Sequence, residues 1–195
     1  MTRRSLIATV AIFAVMGLAA IIVTLALQRR PSARQTTAVV AAAAAPVPAA
    51  PAIPGRKIKA QLFYVSDDGM RLVGVERDVP FAEQPVDQAR EILTAQIAPV
   101  SAPLVSAVPA GTVLRALFLT NGQAYVDLSR DVATAHPGGS LNEMLTIYTI
   151  VHALTFNLPA VTAVQLLVDG KEVDTLAGHV DLRRPLSKNL QLAIE

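Results

Sequence analysis

Residues 136–155, HPGGSLNEMLTIYTIVHALT, gather the side chains most able to do chemistry: two histidines, a serine and a glutamate behind a flexible Gly138-Gly139 pair. A helix start with free amides can hold an anion, and a serine there invites a nucleophile reading. The spacing of Ser140 and Glu143 predicts something plainer, a capping box in which the hydroxyl accepts from the amide of the third helical residue and the carboxylate reaches back to the cap amide. Glu143 would also discourage an external anion at that helix end. His152 follows Tyr148 by one turn with no carboxylate three or four residues away to orient it. It therefore reads as a hydrogen-bonded boundary residue rather than a base.

Other polar groups are weaker candidates. GHVD places His179 and Asp181 two residues apart, as two metal ligands could stand, with His136 or Asp169 as a third. No HExxH or comparable spacing supports a metal, and hydrogen bonding that pins an irregular tail is the simpler role. His136, before Pro137 in a loop, is expected in solvent. Asp67-Asp68, and Asp169 with Asp174, could be matched to the paired carboxylates of glycoside hydrolysis. Each lies in or beside an Asp-Gly turn, where aspartate is favoured for local backbone bonding. No nucleophile elbow, phosphate loop or dinucleotide fingerprint occurs. The residues assign no catalytic group, no metal and no cofactor; His152, His179 and Asp181 are what remains for a ligand site.

Composition narrows the classes further. Of the 195 residues none is cysteine, which excludes disulfides, thiolate metal sites, cysteine nucleophiles and a lipidated cysteine. Residues 1–56 hold six of the 17 basic residues and no acid, so residues 57–195 carry 11 basic groups against 15 acids. A mildly acidic domain without tryptophan is a poor nucleic-acid binder. Leu6 to Leu27 is an uncharged apolar run of about 33 Å as a helix, enough for a bilayer core. It is too long for a signal-peptide core and is succeeded by Gln28-Arg29-Arg30 instead of small cleavage residues, which predicts an uncleaved anchor. Arginines flank both sides, so charge does not orient it. Residues 28–56, rich in Ala and Pro, read as a linker of up to about 90 Å when extended. The short tail at 1–5 and this long linker, which suits an exported domain, favour a cytoplasmic N-terminus and an extracytoplasmic domain.

Periodicity gives the secondary structure on which these groups are carried. KIKAQLFYVS (57–66) alternates as a strand, with Ile58, Ala60, Leu62 and Tyr64 on one face. Asp67-Asp68-Gly69 turns the chain into a second strand. Val86, Ala89, Ile92, Leu93 and Ile97 have helical spacing between Pro85 and Pro99. Val113–Thr120 and Ala124–Leu128 flank Asn121-Gly122, the preferred two-residue type I′ hairpin turn. A helix over 141–157 precedes a strand ending at Val168, an Asp169-Gly170 turn and a short return. The order ββαββαββ predicts a single compact α/β domain over 57–195, a mixed β-sheet covered by two main helices.

Three stretches in this order, SAVPAGTVLRALFLTNGQAYVDLS, GGSLNEMLTIYTIVHALT and VTAVQLLVDGKEVDTLAGHVDLRRPL, resemble the GerMN domain family, the repeat of the spore-germination protein GerM. LFYVSDDGMRLVGVERDV resembles the family's first hairpin, and the resemblance covers about residues 60–190. It implies an envelope-facing α/β domain without established enzymatic chemistry. The family also resembles the ring-building domains of secretion and sporulation assemblies, which implies protein–protein contacts. The chain departs from GerM in having one domain copy and an apolar anchor in place of a lipidated cysteine, and sporulation itself is not implied. The expectation is a membrane-anchored, extracytoplasmic, non-catalytic module whose partner is an envelope protein or itself. The alternative is a small-ligand or cell-wall-glycan binder, or at most a weak hydrolase, with its cleft around His152, His179 and Asp181.

Overall fold

The computed structural model describes residues 55–194. The expected tail at 1–5, the apolar run at 6–27 and the linker to residue 54 lie outside the described residues. Among the described residues no helix is long and apolar enough to cross a membrane. The element order is β1 (Lys57–Val65), β2 (Leu72–Pro80), α1 (Pro85–Ile97), β3 (Leu114–Thr120), β4 (Gln123–Leu128), α2 (Asp131–Thr134), α3 (Ser140–Asn157), β5 (Ala163–Val168), β6 (Lys171–Glu172) and β7 (Ala193–Ile194). Arg56, assigned to the linker by composition, already belongs to the domain. Its carbonyl accepts from the Phe81 amide at 3.0 Å, and its guanidinium lies 3.8 Å over the Phe81 ring.

The expected single mixed sheet is instead two sheets, β1-β2-β7 and β3-β4-β5-β6. The second is mixed, with β4 antiparallel to β3 and parallel to β5. The sheets do not merge because side chains occupy the free edge of β1. Gln96 of α1 donates to the Phe63 carbonyl and accepts from the Phe63 amide, both at 2.8 Å. Asn157, at the end of α3, does the same for Gln61 at 2.7 and 2.8 Å. The Val65 amide donates to the Val105 carbonyl at 2.9 Å. Two carboxamides thus imitate a neighbouring strand, satisfying backbone groups that burial would otherwise leave unpaired. Gln96→Ala orphans a buried N–H and a buried C=O together, so a loss of about 2–3 kcal/mol is expected in urea denaturation.

One apolar core joins Ala60, Leu62 and Tyr64 of β1 to Ile92 and Leu93 of α1, Leu117 of β3, Val126 of β4, Ile150 and Leu154 of α3, and Leu166 of β5. A second cluster, Phe63, Leu72 and Leu145, lies on the other face of β1, with Tyr148, Phe156 and Ala193 packed on it. Helix α3 crosses between the two clusters, which is why it is apolar around most of its circumference. The Asn121-Gly122 turn forms as read, with φ of 49° and 76°. The Gly122 carbonyl then accepts from the Thr162 amide at 2.8 Å, which ties the hairpin to the entry of β5. The tail is more ordered than its sequence suggests. Leu186 exchanges backbone hydrogen bonds with Val164, and β7 joins β2 in parallel.

Candidate functional site

The start of α3 is built differently from the capping box that its spacing predicts. Gly138 and Gly139 have φ of 83° and 87°, a region open to glycine. Gly139 is the cap residue and Ser140 the first helical residue, with no side-chain hydrogen bond at the cap. The helix therefore begins one residue early, and Glu143 falls at the fourth position, where it cannot turn back to the cap amide. Ser140 is exposed and makes no cap, so Ser140→Ala should change stability by less than about 0.5 kcal/mol, whereas loss of a capping serine costs about 1. Urea midpoints of the two proteins decide between them.

Glu143 is fully buried and holds the segment after β6. Its Oε1 accepts from the amides of Leu176 at 2.8 Å and Ala177 at 2.9 Å. Its Oε2 accepts from the His179 amide at 2.8 Å and lies 3.1 Å from His179 Nδ1. An ionised carboxylate only accepts, so Nδ1 carries the proton in this contact. Burial pushes the Glu143 carboxyl up, but the amides of Ala177, His179 and Leu176 and the His179 ring outweigh it and leave the group below its ordinary value. Helix and loop are 33 to 36 residues apart in sequence, so no local spacing announces this junction.

The ligand candidates do not converge. His179 is engaged by Glu143. Asp181 instead grips Arg183, accepting from its amide at 3.0 Å and from Nε at 2.9 Å. The side-chain and backbone donors of Arg183 hold its carboxyl well below the usual range. His152 is fully buried among Phe63, Tyr148 and Phe156, with ring centroids 5.0–5.4 Å apart across the group. Its Nε2 accepts from the Asn189 amide at 3.1 Å, while Nδ1 has no hydrogen-bond partner. Burial pushes the imidazole down to about 4, and Lys188 acts in the same direction. The sequence placed it at a boundary; it is core. His136 is half-buried rather than solvated, accepting from the Gly138 amide at 2.9 Å, with Nε2 3.2 Å from the Thr146 hydroxyl.

Asp68 acts as its turn predicts, accepting from Ser66 Oγ at 2.6 Å and the Met70 amide at 2.9 Å. Asp169 adopts φ of 50° in the Asp169-Gly170 turn, but its carboxylate serves distant partners. It bonds Arg130 Nε at 2.8 Å and Arg115 at 3.3 Å, and Arg115 Nε also reaches Asp127 at 3.1 Å. Buried Asp127 accepts from the Gly170 amide at 2.7 Å. This network of Arg115, Asp127, Arg130 and Asp169 escapes sequence reading because Asp127 alternates with Gln123 and Tyr125 as an ordinary solvent-face residue.

The feature with the form of a contact surface is the loop between α1 and β3. Residues 97–100 and 104–113, with Pro137, line a cleft of about 680 Å³ that contains no charged residue. Val105 and Val113 on it are each 56% exposed. Among the described residues no cluster of three or more His, Cys, Asp or Glu could hold a metal ion.

Comparison with known proteins places this arrangement. The first GerMN domain of the sporulation protein GerM from Bacillus subtilis matches with a TM-score of 0.50 and 20% identity, covering 68% of this chain and 96% of that one. The tandem GerMN domains of the same protein give 0.53 and 17%, covering 68% of this chain and 46% of that one. A candidate lipoprotein from Clostridium perfringens gives 0.50 and 21%, covering 68% and 88%. These likenesses establish a shared fold. No curated protein sequence matches. The family model described as Germane, sporulation and spore germination, matches residues 61–174, more than half of the chain and nearly the whole span from β1 to the turn after β6. The GerMN resemblance read from the sequence therefore holds, and the chain belongs to the Germane family.

Proposed function

We propose that this chain is a membrane-anchored, extracytoplasmic module without catalysis of its own, which holds an envelope protein or a second copy of itself. The observation that carries this reading is the internal engagement of its reactive side chains. Glu143 is saturated by the loop at 176–179, His152 lies inside an aromatic cage, and Asp127, Asp169 and Asp181 are bonded to arginines or backbone amides. Of the apolar side chains that face outward, Val105 and Val113 share one uncharged cleft, whereas Met70, Phe118 and Leu190 do not line it. Such a surface suits the desolvated centre of a protein contact. The anchor-like run at 6–27, the likeness to a candidate lipoprotein and the family's link to sporulation support an envelope location.

Two measurements test the reading. Because the chain has no cysteine, a single exposed Lys171→Cys gives a clean topology probe. Labelling by an impermeant maleimide in intact spheroplasts is expected, and protection until lysis would reverse the orientation. Photo-crosslinkers at Val105 and Val113 should capture one defined envelope protein or a dimer in living cells, while the same group at Lys171 should not. A domain that remains monomeric and crosslinks to nothing from either valine would remove the basis of the proposal.

A further inference from the structure

A strand edge is a row of N–H and C=O groups that invites another strand, and natural sheets close or guard it. Among the described residues several edge positions here are closed. Gln96, Asn157 and Val105 close β1 from Gln61 to Val65. Helix α1 covers the face of β3 on which Leu117 is buried. β6 and Leu186 line the outer side of β5.

β2 differs. The Ser66 amide bonds the Arg71 carbonyl, and hydrogen-bonded pairs alternate from there along the antiparallel ladder. Val73, Val75, Arg77 and Val79 thus face β1, while Leu72, Gly74, Glu76 and Asp78 turn their backbone groups outward. The Leu72 amide meets the Leu192 carbonyl at 2.8 Å, and β7 pairs only with Leu72 and Val73. Past β7, the outward backbone of Glu76 and Asp78 has no hydrogen-bond partner among the described residues. Pro80, which lacks an N–H, ends the row. Glu76, Arg77 and Asp78 are all exposed.

Side-chain charge selects the occupant. Glu76 and Asp78 project on one face, opposite Gln61 and Lys59 of β1. Lys59 holds Asp78 at 2.7 Å from the strand behind, while Glu76 has no ion pair among the described residues. A second copy pairing antiparallel along this row would set Glu76 or Asp78 against Glu76 or Asp78, and like charges directly opposite are destabilising. An incoming strand with lysine or arginine at alternate positions meets this row with complementary charge, and β7 already shows that the edge accepts a strand. We propose that residues 76–78 of β2 are a strand-addition site for an extended segment of a partner protein with basic side chains at alternate positions. This rests on the reading of the domain as a protein-contact module, and names one surface and the chemistry of its partner.

The test uses the full chain in detergent micelles and residue-resolved hydrogen exchange, with a synthetic nine-residue peptide of alternating threonine and lysine as probe. The Glu76 and Asp78 amides should exchange at least tenfold more slowly at millimolar peptide and low salt, and an alternating threonine–glutamate peptide should slow them less than twofold. Glu76→Lys should weaken the basic peptide and favour the acidic one. Glu76→Pro removes an outward amide while sparing the β1–β2 ladder, so it should keep the Tm within a few degrees and abolish the protection at Asp78. Equal slowing by both peptides, slowing by neither, or amides at Glu76 and Asp78 already protected in the free protein would overturn the site. Defined partners captured from Val105 and Val113 alongside an inert β2 edge would likewise remove this site, while leaving the wider proposal standing.

Discussion

Glu143→Ala should be a severely damaging substitution, lowering stability by about 3–5 kcal/mol in urea denaturation. The carboxylate is fully buried and receives three backbone amides and an imidazole N–H. Truncation strips the buried Leu176 amide and the neighbouring Ala177 and His179 amides of their acceptor, and hydrogen bonds to a charged acceptor are the stronger kind. Hydrogen exchange at residues 176–179 should rise together with the loss of stability, since the loop is what the carboxylate holds. A capping role would predict a loss of only about 1 kcal/mol, with no effect on that loop. Glu143→Gln should fall between, because its amide NH2 would confront N–H donors. The pH dependence comes from the depressed native pKa. The stabilisation from this carboxylate is present above the ordinary glutamate value and is lost as the pH falls through the lower native value.

His152 should impose a second, separate acid sensitivity at higher pH. Its native pKa is pushed down to about 4 by burial, against 6.5 for a free imidazole. Between those values the unfolded chain binds a proton that the native ring refuses, so stability falls as the solution is acidified. The whole step amounts to about 3 kcal/mol, complete near the native pKa. Below it the ring becomes charged, Nε2 can no longer accept from Asn189, and the contact that seats residues 188–193 is broken. Urea midpoints at pH 7 and pH 4.5 should therefore separate in the parent and draw together by most of that amount in His152→Leu, whatever its baseline stability. An unchanged separation in the variant would assign the acid sensitivity elsewhere.

Most elements were legible because their signals are local. Alternation marks β1, Pro85 and Pro99 bracket α1, and Asn121-Gly122 dictates its own hairpin. The aliphatic run of α3 similarly announces a helix covered on more than one side. The candidate site was less legible, for a reason visible at Glu143. Ser140 and Glu143 satisfy a local template, but Gly139 takes the cap, shifts the helix start by one residue and frees the carboxylate for residues 33 to 36 positions away. Asp169 shows the same division. Its turn conformation could be read from Asp-Gly, whereas its bonds to Arg115 and Arg130 depend on how three elements assemble.

The order of the longer strands and helices, the hairpin turns, the lack of thiol chemistry and the family pattern are written in the chain, whereas the short helix α2 and strand β7 are not. Each legible feature depends on residues within a few positions of one another, or on composition. Folding in three dimensions settles the rest: two sheets rather than one, Gln96 and Asn157 closing the edge of β1, His152 in the core, and a charged edge left open along β2. Those outcomes depend on which groups burial strips of water and which partners then lie within hydrogen-bonding distance. A buried amide or carboxylate must be satisfied wherever the fold brings a partner, and that partner can lie anywhere in the chain.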